Sequence, residues 1–406
     1  MRHLVQWWSE NFSNAYWLIP LLWLAGGTGA AIILKMMVEG GGGAMTAKGQ
    51  SALIILVVGS SLTVISMLLS GSLVALTLTT NQFGPRLLRG FLHDHFNKQV
   101  LGSYLGLSAF GLFILLGLAN EPPSALSSRV AVWWLVGNLL LLVIFIHRLI
   151  QSMIVERVLD QTCKDIQTAT SPLVRVDCDI PHDGEDTTSP VLGQGPDILW
   201  PDSGSEGYIM QIDYEKLVRS LEEQGACLDL CVTSGHWLTP GEKVASATPR
   251  SEHHESPEDL ADIFAASCHI GLRRTPIQDE RFAFERITEV ALRALSPGIH
   301  DPFTAITCIE RAGSELRNLA SCDTWPPPPV SDSEGIIRLR AARASVGSLA
   351  ETTFKPLINL PPAPMVMDVI RRELVSLRRQ ISGKDAKKLD DLIRLSGTSQ
   401  QSETTL

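Results

Sequence analysis

Four long apolar runs dominate the first 150 residues, at about 16–34, 52–80, 103–119 and 130–150. Each approaches the ~20 residues that cross a ~30 Å hydrocarbon core as a helix. No charged residue stands between Lys48 and Arg86, which bracket the second run. Lys35 closes the first run, and His147 and Arg148 stand near the end of the fourth, where they can snorkel toward the headgroups. Trp7, Trp8, Tyr16, Trp17, Tyr104, Trp133 and Trp134 lie near predicted span ends, as in an interfacial aromatic belt. The pattern predicts a four-helix transmembrane domain over residues 1–150.

The periodicity then changes character. Residues 151–206 read as a helical continuation of the fourth span, to about residue 170, followed by an acidic loop. From Asp177 to Glu206 that loop has eight acidic residues and no Lys or Arg, among Pro, Gly and Ser. Its carboxylates lack the spacing of a calcium loop. Residues 207–250 predict a small β subdomain. Tyr208–Ile212 precedes a short helix at Tyr214–Glu223, and Leu228, Leu230 and Val232 then alternate with Cys227, Asp229 and Cys231. The glycine spacing from Val232 through Gly235, Leu238 and Gly241 to Val244 is similar to the hairpin of biotinyl or lipoyl barrel-sandwich domains. No lysine occupies the hairpin tip expected of a carrier.

Residues 256–396 predict a helical domain. Ser256, Pro257 and Asp259 start a helix to about Arg273. Pro276 begins the next, with Arg281, Glu285, Glu289 and Arg293 as a charged stripe opposite Phe284, Ile287, Ala291 and Leu295. A third helix spans Pro302 to Ala320. Trp325 and four prolines break the chain, further helices follow near 335–355 and 366–381, and residues 397–406 read as a disordered tail. The expected fold is thus a membrane α-helical domain, then a cytoplasmic α+β region with a β-hairpin/barrel-sandwich-like subdomain and a helical C-terminal domain.

Charge sharpens the division. The chain has 406 residues and a net charge of −9. Residues 1–150 hold eight Lys/Arg and four Asp/Glu, and the remainder 26 basic and 39 acidic side chains. A single globular domain is excluded, and the lack of a strongly basic domain argues against a nucleic-acid partner. Arg86, Arg89 and Lys98 follow the second run, and Arg157 and Lys164 follow the fourth. This basic bias places both termini in the cytoplasm. The seven cysteines form no CxxC pair and read as reduced thiols in packed positions.

Two groups of residues are candidates for function. In the second run Gly59, Thr63, Ser66, Ser70, Thr77 and Asn81 recur at steps of three, four or seven and share one helical face. Small and hydroxylated residues suit close helix packing, and also a wetted pore wall if several copies surround an axis. Gly102 and Gly106 form a GxxxG in the third run, and Ala25–Ala30 is rich in small residues; both favour helix contacts. The second group is a helix–turn–helix corner. Ser296, Pro297 and Gly298 end one helix, His300 follows, and Asp301, Pro302 and Thr304 cap and start the next. Its positive helix end suits an anion, although Asp301 already fills that role. No span centre carries a charge, which ranks coupled transport low. No P-loop, GxSxG or HExxH occurs, and neither His93, Asp94 and His95 nor the His253–His254 pair has ligand spacing, so no cofactor, metal or enzymatic reaction is expected.

Three stretches carry a family resemblance: Arg274–Asp279 (R-T-P-I-Q-D), Ala291–Gly298 (A-L-R-A-L-S-P-G) and Asp301–Ala305 (D-P-F-T-A). Leu73–Leu76 (L-V-A-L) and Gln82–Arg89 (Q-F-G-P-R-L-L-R) add to them. On these the chain resembles the domain of unknown function 2254 family of bacterial predicted membrane proteins. His300 stands where that pattern leads one to expect Asn. The resemblance implies the architecture and a multi-pass location in the plasma (bacterial inner) membrane, and brings no reaction with it. The residues point first to a homo-oligomeric channel-like or gated membrane protein with a cytoplasmic regulatory domain. The rival expectation is a membrane-anchored sensor or scaffold whose cytoplasmic domain binds a partner, a small ligand or an anion.

Overall fold

The structure, a computed structural model, describes residues 18–37, 47–83, 95–116, 125–152, 155–171, 195–202, 204, 206–248, 256–322, 325, 330–331, 336–341, 343–361 and 363–398. The chain divides into two compact units between Val158 and Leu159.

The first unit contains α1 (Leu18–Met37), α2 (Ala47–Phe83), α3 (His95–Leu116) and α4 (Ala125–Ser152). Three of these are long and apolar enough to cross a membrane, over Lys48–Asn81, Phe96–Leu116 and Ala125–Gln151. The apolar stretch of α1, Ile19–Leu34, is shorter. The expected first span starts at residue 16, outside the described residues, and Lys35 closes its apolar run. Leu22, Ile33, Leu56, Met67, Leu73, Leu140 and Val143 stand exposed on the helices, a side-chain chemistry that suits lipid.

α3 begins eight residues before the predicted 103. Val100, Leu101 and Tyr104 pack with Ile65, Leu68 and Phe145, so apolar contact extends the helix N-terminally. Lys98, read from sequence as a loop residue, lies inside α3 with its side chain buried. Two predicted belt aromatics also lie inside the unit. Tyr104 is fully buried and donates to the Asn138 carbonyl at 2.8 Å. Trp134 packs against Trp23 and Phe110 with ring centroids 6.1 and 5.9 Å away, and its Nε1 donates to Ser103 Oγ at 3.1 Å. Both rings carry a polar tip that finds a partner inside the bundle. Trp133, one residue on, is 73% exposed, as a belt residue should be.

The small residues of α1 and α3 meet. A Cβ on Gly27 would overlap the Gly106 carbonyl, one on Gly106 would lie 2.7 Å from the Trp23 carbonyl oxygen, and one on Gly102 would lie 2.5 Å from Trp23 Cδ1. Backbone approach of this kind is what a small-xxx-small pattern provides in lipid.

The second unit opens with the rest of α5 (Val155–Thr170), whose buried Leu159, Cys163, Ile166 and Ala169 recur at helical spacing. Strands β1 (Asp197–Leu199), β2 (Gly207–Ile212), β3 (Cys227–Leu230), β4 (Trp237–Leu238), β5 (Lys243–Thr248), β6 (Cys268–Gly271), β7 (Val330–Ser331) and β8 (Ile337–Arg340) build two sheets. One has the order β1-β5-β3-β8-β7, the other β4-β2-β6. The sheets share one core with α6 (Tyr214–Glu223) and α7 (Pro257–Ser267), centred on Ile198, Ile209, Leu217, Leu221, Leu228, Leu230, Val244, Phe264 and Leu339. Gly235 and Gly241 turn the chain at φ +87° and +75°, where a side chain would be strained.

Helices α8 (Glu280–Ala294), α9 (Pro302–Ala320), α10 (Val346–Ile358), α11 (Pro364–Arg378) and α12 (Gly383–Thr398) pack on one another. Four details differ from the sequence reading. α7 ends at Ser267, not near Arg273, because Cys268–Gly271 pairs with β2. The next helix starts at Glu280, not Pro276, because Asp279 caps it by accepting from the Phe282 N–H at 2.9 Å. The predicted helix near 335 begins as strand β8, which lies parallel to β3. Gly397 and Thr398 belong to α12, and the rest of the expected tail lies outside the described residues.

Candidate functional site

On α2, the predicted face is an outward one. Gly59, Thr63, Ser66, Ser70, Thr77 and Asn81 are all exposed. Ile54, Val57, Val58, Ser61, Ile65, Leu68 and Ala75 are buried. At ~100° per residue the two sets lie about opposite each other. The Thr63 and Thr77 hydroxyls donate to the Gly59 and Leu73 carbonyls of their own helix, each at 2.9 Å. Those two hydroxyls therefore need no partner from another helix. On α2 the Ser61 hydroxyl does meet another helix. Ser108 Oγ donates to Ser61 Oγ at 3.1 Å, on the packed side.

At the corner, Asp301 accepts from the Thr304 N–H at 3.1 Å and from its hydroxyl at 2.5 Å. Those bonds, the side-chain one first, hold the Asp301 carboxyl below its usual pKa. The Asp301 N–H in turn donates to the Ala294 carbonyl at 2.7 Å, which closes the turn on α8. The left-handed position falls on His300, at φ 48°, rather than on Gly298. His and Asn are among the side chains that tolerate that region. Ser296, Pro297 and Gly298 terminate α8, and Ser296 Oγ donates to the Arg293 carbonyl at 2.6 Å. Among the described residues, the polar contacts of this corner are spent on the turn itself.

The R-T-P-I-Q-D stretch carries more chemistry than its sequence disclosed. Thr275 Oγ1 donates to the Met210 carbonyl at 3.2 Å. Gln278 pairs with the backbone of Ile212, accepting from its N–H at 2.8 Å and donating to its carbonyl at 3.0 Å. Arg274 binds both oxygens of Asp279 at 2.7 and 3.0 Å, and Glu285 at 2.9 Å. Burial works against the Arg274 charge, yet these carboxylates raise its pKa overall. Asp279 also sits where a Gly235 side chain would be, so the turn before β4 must lack one.

These groups wall a cavity of about 420 Å³. Its lining includes Thr233, Ser234 and Gly235 from the turn, Arg274 and Asp279 from the motif, Glu280, Arg281 and Glu285 from α8, and Arg343 and Ala344 from the segment before α10. Glu280 Oε1 accepts from the Ala344 N–H at 2.9 Å, and Glu280 Oε2 lies 3.7 Å from Arg343. Arg343 lies over the Trp325 ring at 5.0 Å and donates to the Ala169 carbonyl near the end of α5 at 2.9 Å. Sequence reading passed over this site because Thr233–His236, Arg274–Glu285 and Arg343 are far apart in the chain. The family-like stretch at Arg274–Asp279 was the available signal. Elsewhere, burial pushes the Cys268 and Cys308 thiols up to about 12, which keeps them protonated and inert.

Among curated proteins the chain is similar to uncharacterized proteins of Mycobacterium tuberculosis and Mycobacterium bovis. Each is 27% identical over 276 residues, covering 66% of this chain and 52% of the relative. The match thus spans about half the length of those relatives. No solved structure matches. Residues 13–372 match the model of the family described as predicted membrane protein (DUF2254), and the chain belongs to that family.

Proposed function

We propose that this membrane protein is a homo-oligomeric, channel-like protein in which α2 from each copy lines a common axis and the acidic second half regulates it. In this reading α1 completes a set of four spans, both termini lie in the cytoplasm, and no chemical step is catalysed. One observation carries it. The small and hydroxylated residues of α2 point away from their own bundle, opposite the face that packs. A face turned permanently to hydrocarbon gains more from Leu and Ile than from Gly, Ser and Thr. A second copy would bury it by close packing, and water would solvate the hydroxyls at an axis. Cysteine placed singly at Ser66 and Ser70, in a background without the native cysteines, tests this. Labelling by a membrane-impermeant thiol reagent supports a wetted axis, whereas none under any condition opposes it.

A second reading has its own support. Arg343 touches both the cavity wall and the Ala169 carbonyl of α5, the helix that follows α4 in the chain. A ligand in the cavity would act on that contact, which suits a membrane-anchored sensor. Under this reading full-length protein binds a small molecule and passes no ions.

A further inference from the structure

We propose that the cavity walled by Arg274, Arg281 and Arg343 binds a small molecule through an oxyanion, a carboxylate or a phosphate. A volume of about 420 Å³ far exceeds the ~30 Å³ share of one water and falls within the range of ligand pockets. The wall is polar, and its acceptors and donors are unequally used. Asp279 spends both oxygens on Arg274 and one also on the Phe282 N–H. Glu285 accepts from Arg274, and Glu280 accepts from the Ala344 N–H. The three carboxylates are therefore answered within the protein.

The donors are in surplus. Arg281 forms no ion pair among the described residues, and its bond to Ser348 Oγ, at 3.5 Å, is at the limit of one. The Arg343 side chain is only 3% exposed, and its Nε has no hydrogen-bond partner among the described residues. A guanidinium offers five N–H donors, and burying one unanswered is costly. The Trp325 ring and the Ala169 carbonyl hold Arg343 in place, and Tyr214 lies beside it. Three arginines against three carboxylates leave the wall formally neutral. A ligand that brings acceptors for the surplus donors fits this wall better than a cation.

Thermal unfolding of the full chain in detergent, at matched ionic strength, tests the site with inorganic phosphate and succinate as probes and chloride as reference. A parallel arm uses nanodiscs of phosphatidylglycerol against phosphatidylcholine, because a lipid headgroup carries the same oxyanion. We expect a concentration-dependent rise in Tm with a soluble probe. Arg281→Gln should weaken its apparent affinity roughly tenfold, while Arg273→Gln, outside the wall, should not. Arg281 is exposed, so its variant tests the site even if Arg343→Gln fails to fold. A rise confined to phosphatidylglycerol and lost in Arg281→Gln supports the same site with a lipid source. No rise in either arm, or an undiminished rise in Arg281→Gln, overturns the proposal and leaves the α2 labelling result unaffected.

Discussion

The contact between α1 and α3 yields the most quantitative expectation. A Cβ on Gly106 would lie 2.7 Å from the Trp23 carbonyl oxygen, where ordinary contact begins at 3.4 Å, so Gly106→Ala must part the helices by about 0.7 Å. A gap of 0.5–1 Å forfeits about a quarter to a half of each dispersion contact across it. Trp23 stands to lose its seat on Gly102, its packing against Trp134 and its bond from Nε1 to Gln99 Oε1, 2.6 Å long. Overpacking of this sort costs about 1–3 kcal/mol, or roughly 5- to 150-fold in the unfolding equilibrium at ~1.4 kcal/mol per tenfold. Gly27→Ala, which meets the Gly106 carbonyl from the other side, should behave alike. Gly26, with nothing within 4 Å of an added Cβ, is the internal control. Denaturation in mixed SDS micelles should show Gly106→Ala and Gly27→Ala destabilised and Gly26→Ala neutral or better. Equal stability of all three variants would refute the close approach.

Three further expectations concern the second unit. Gly235→Ala introduces a side chain at φ +87° and into Asp279, which disturbs the Arg274 pair; thermal unfolding should register a loss of about 2–4 kcal/mol, and a neutral result would contradict the turn geometry. His300→Asn should be neutral or stabilising, whereas His300→Val, a β-branched residue at φ 48°, should lose roughly 1–2 kcal/mol in the same assay. Asp301 has a lowered pKa because Thr304 donates to it, so its stabilisation is full above the usual carboxylate pKa and is lost as pH falls through the lowered value. Asp301→Asn should therefore flatten the fall in Tm below roughly pH 4, and an unchanged acid profile would count against the charged cap.

The difference between what sequence disclosed and what it hid is a difference of range. The α9 boundaries, Pro302 to Ala320, were legible because Asp301 and Pro302 are local signals of a helix start. Likewise Tyr208–Ile212 and Tyr214–Glu223 followed from period and length. Strands β6 and β8 were misread because each is four residues long and exists through its partner, β2 or β3, rather than through its own pattern. Tyr104 and Trp134 were misplaced for a similar reason. An aromatic residue near a span end can face a headgroup or the bundle, and Asn138 and Ser103 decide it. The face of α2 was predicted as a set, but which way it points depends on where α3 and α4 pack. The cavity was hidden most completely, since its wall joins positions from Thr233 to Ala344.

Cross-linking between copies tests the central claim most directly. Single cysteines at Gly59, Thr63, Ser66, Ser70 and Thr77, compared with others at Leu62, Leu69 and Leu78 on either side of that face, would be oxidised in native membranes in a cysteine-free background. The account predicts dimers of the chain at the first set, repeating every three to four residues, and few at the second. Cross-links at neither set, or equally at both, would contradict an α2 face turned toward another copy.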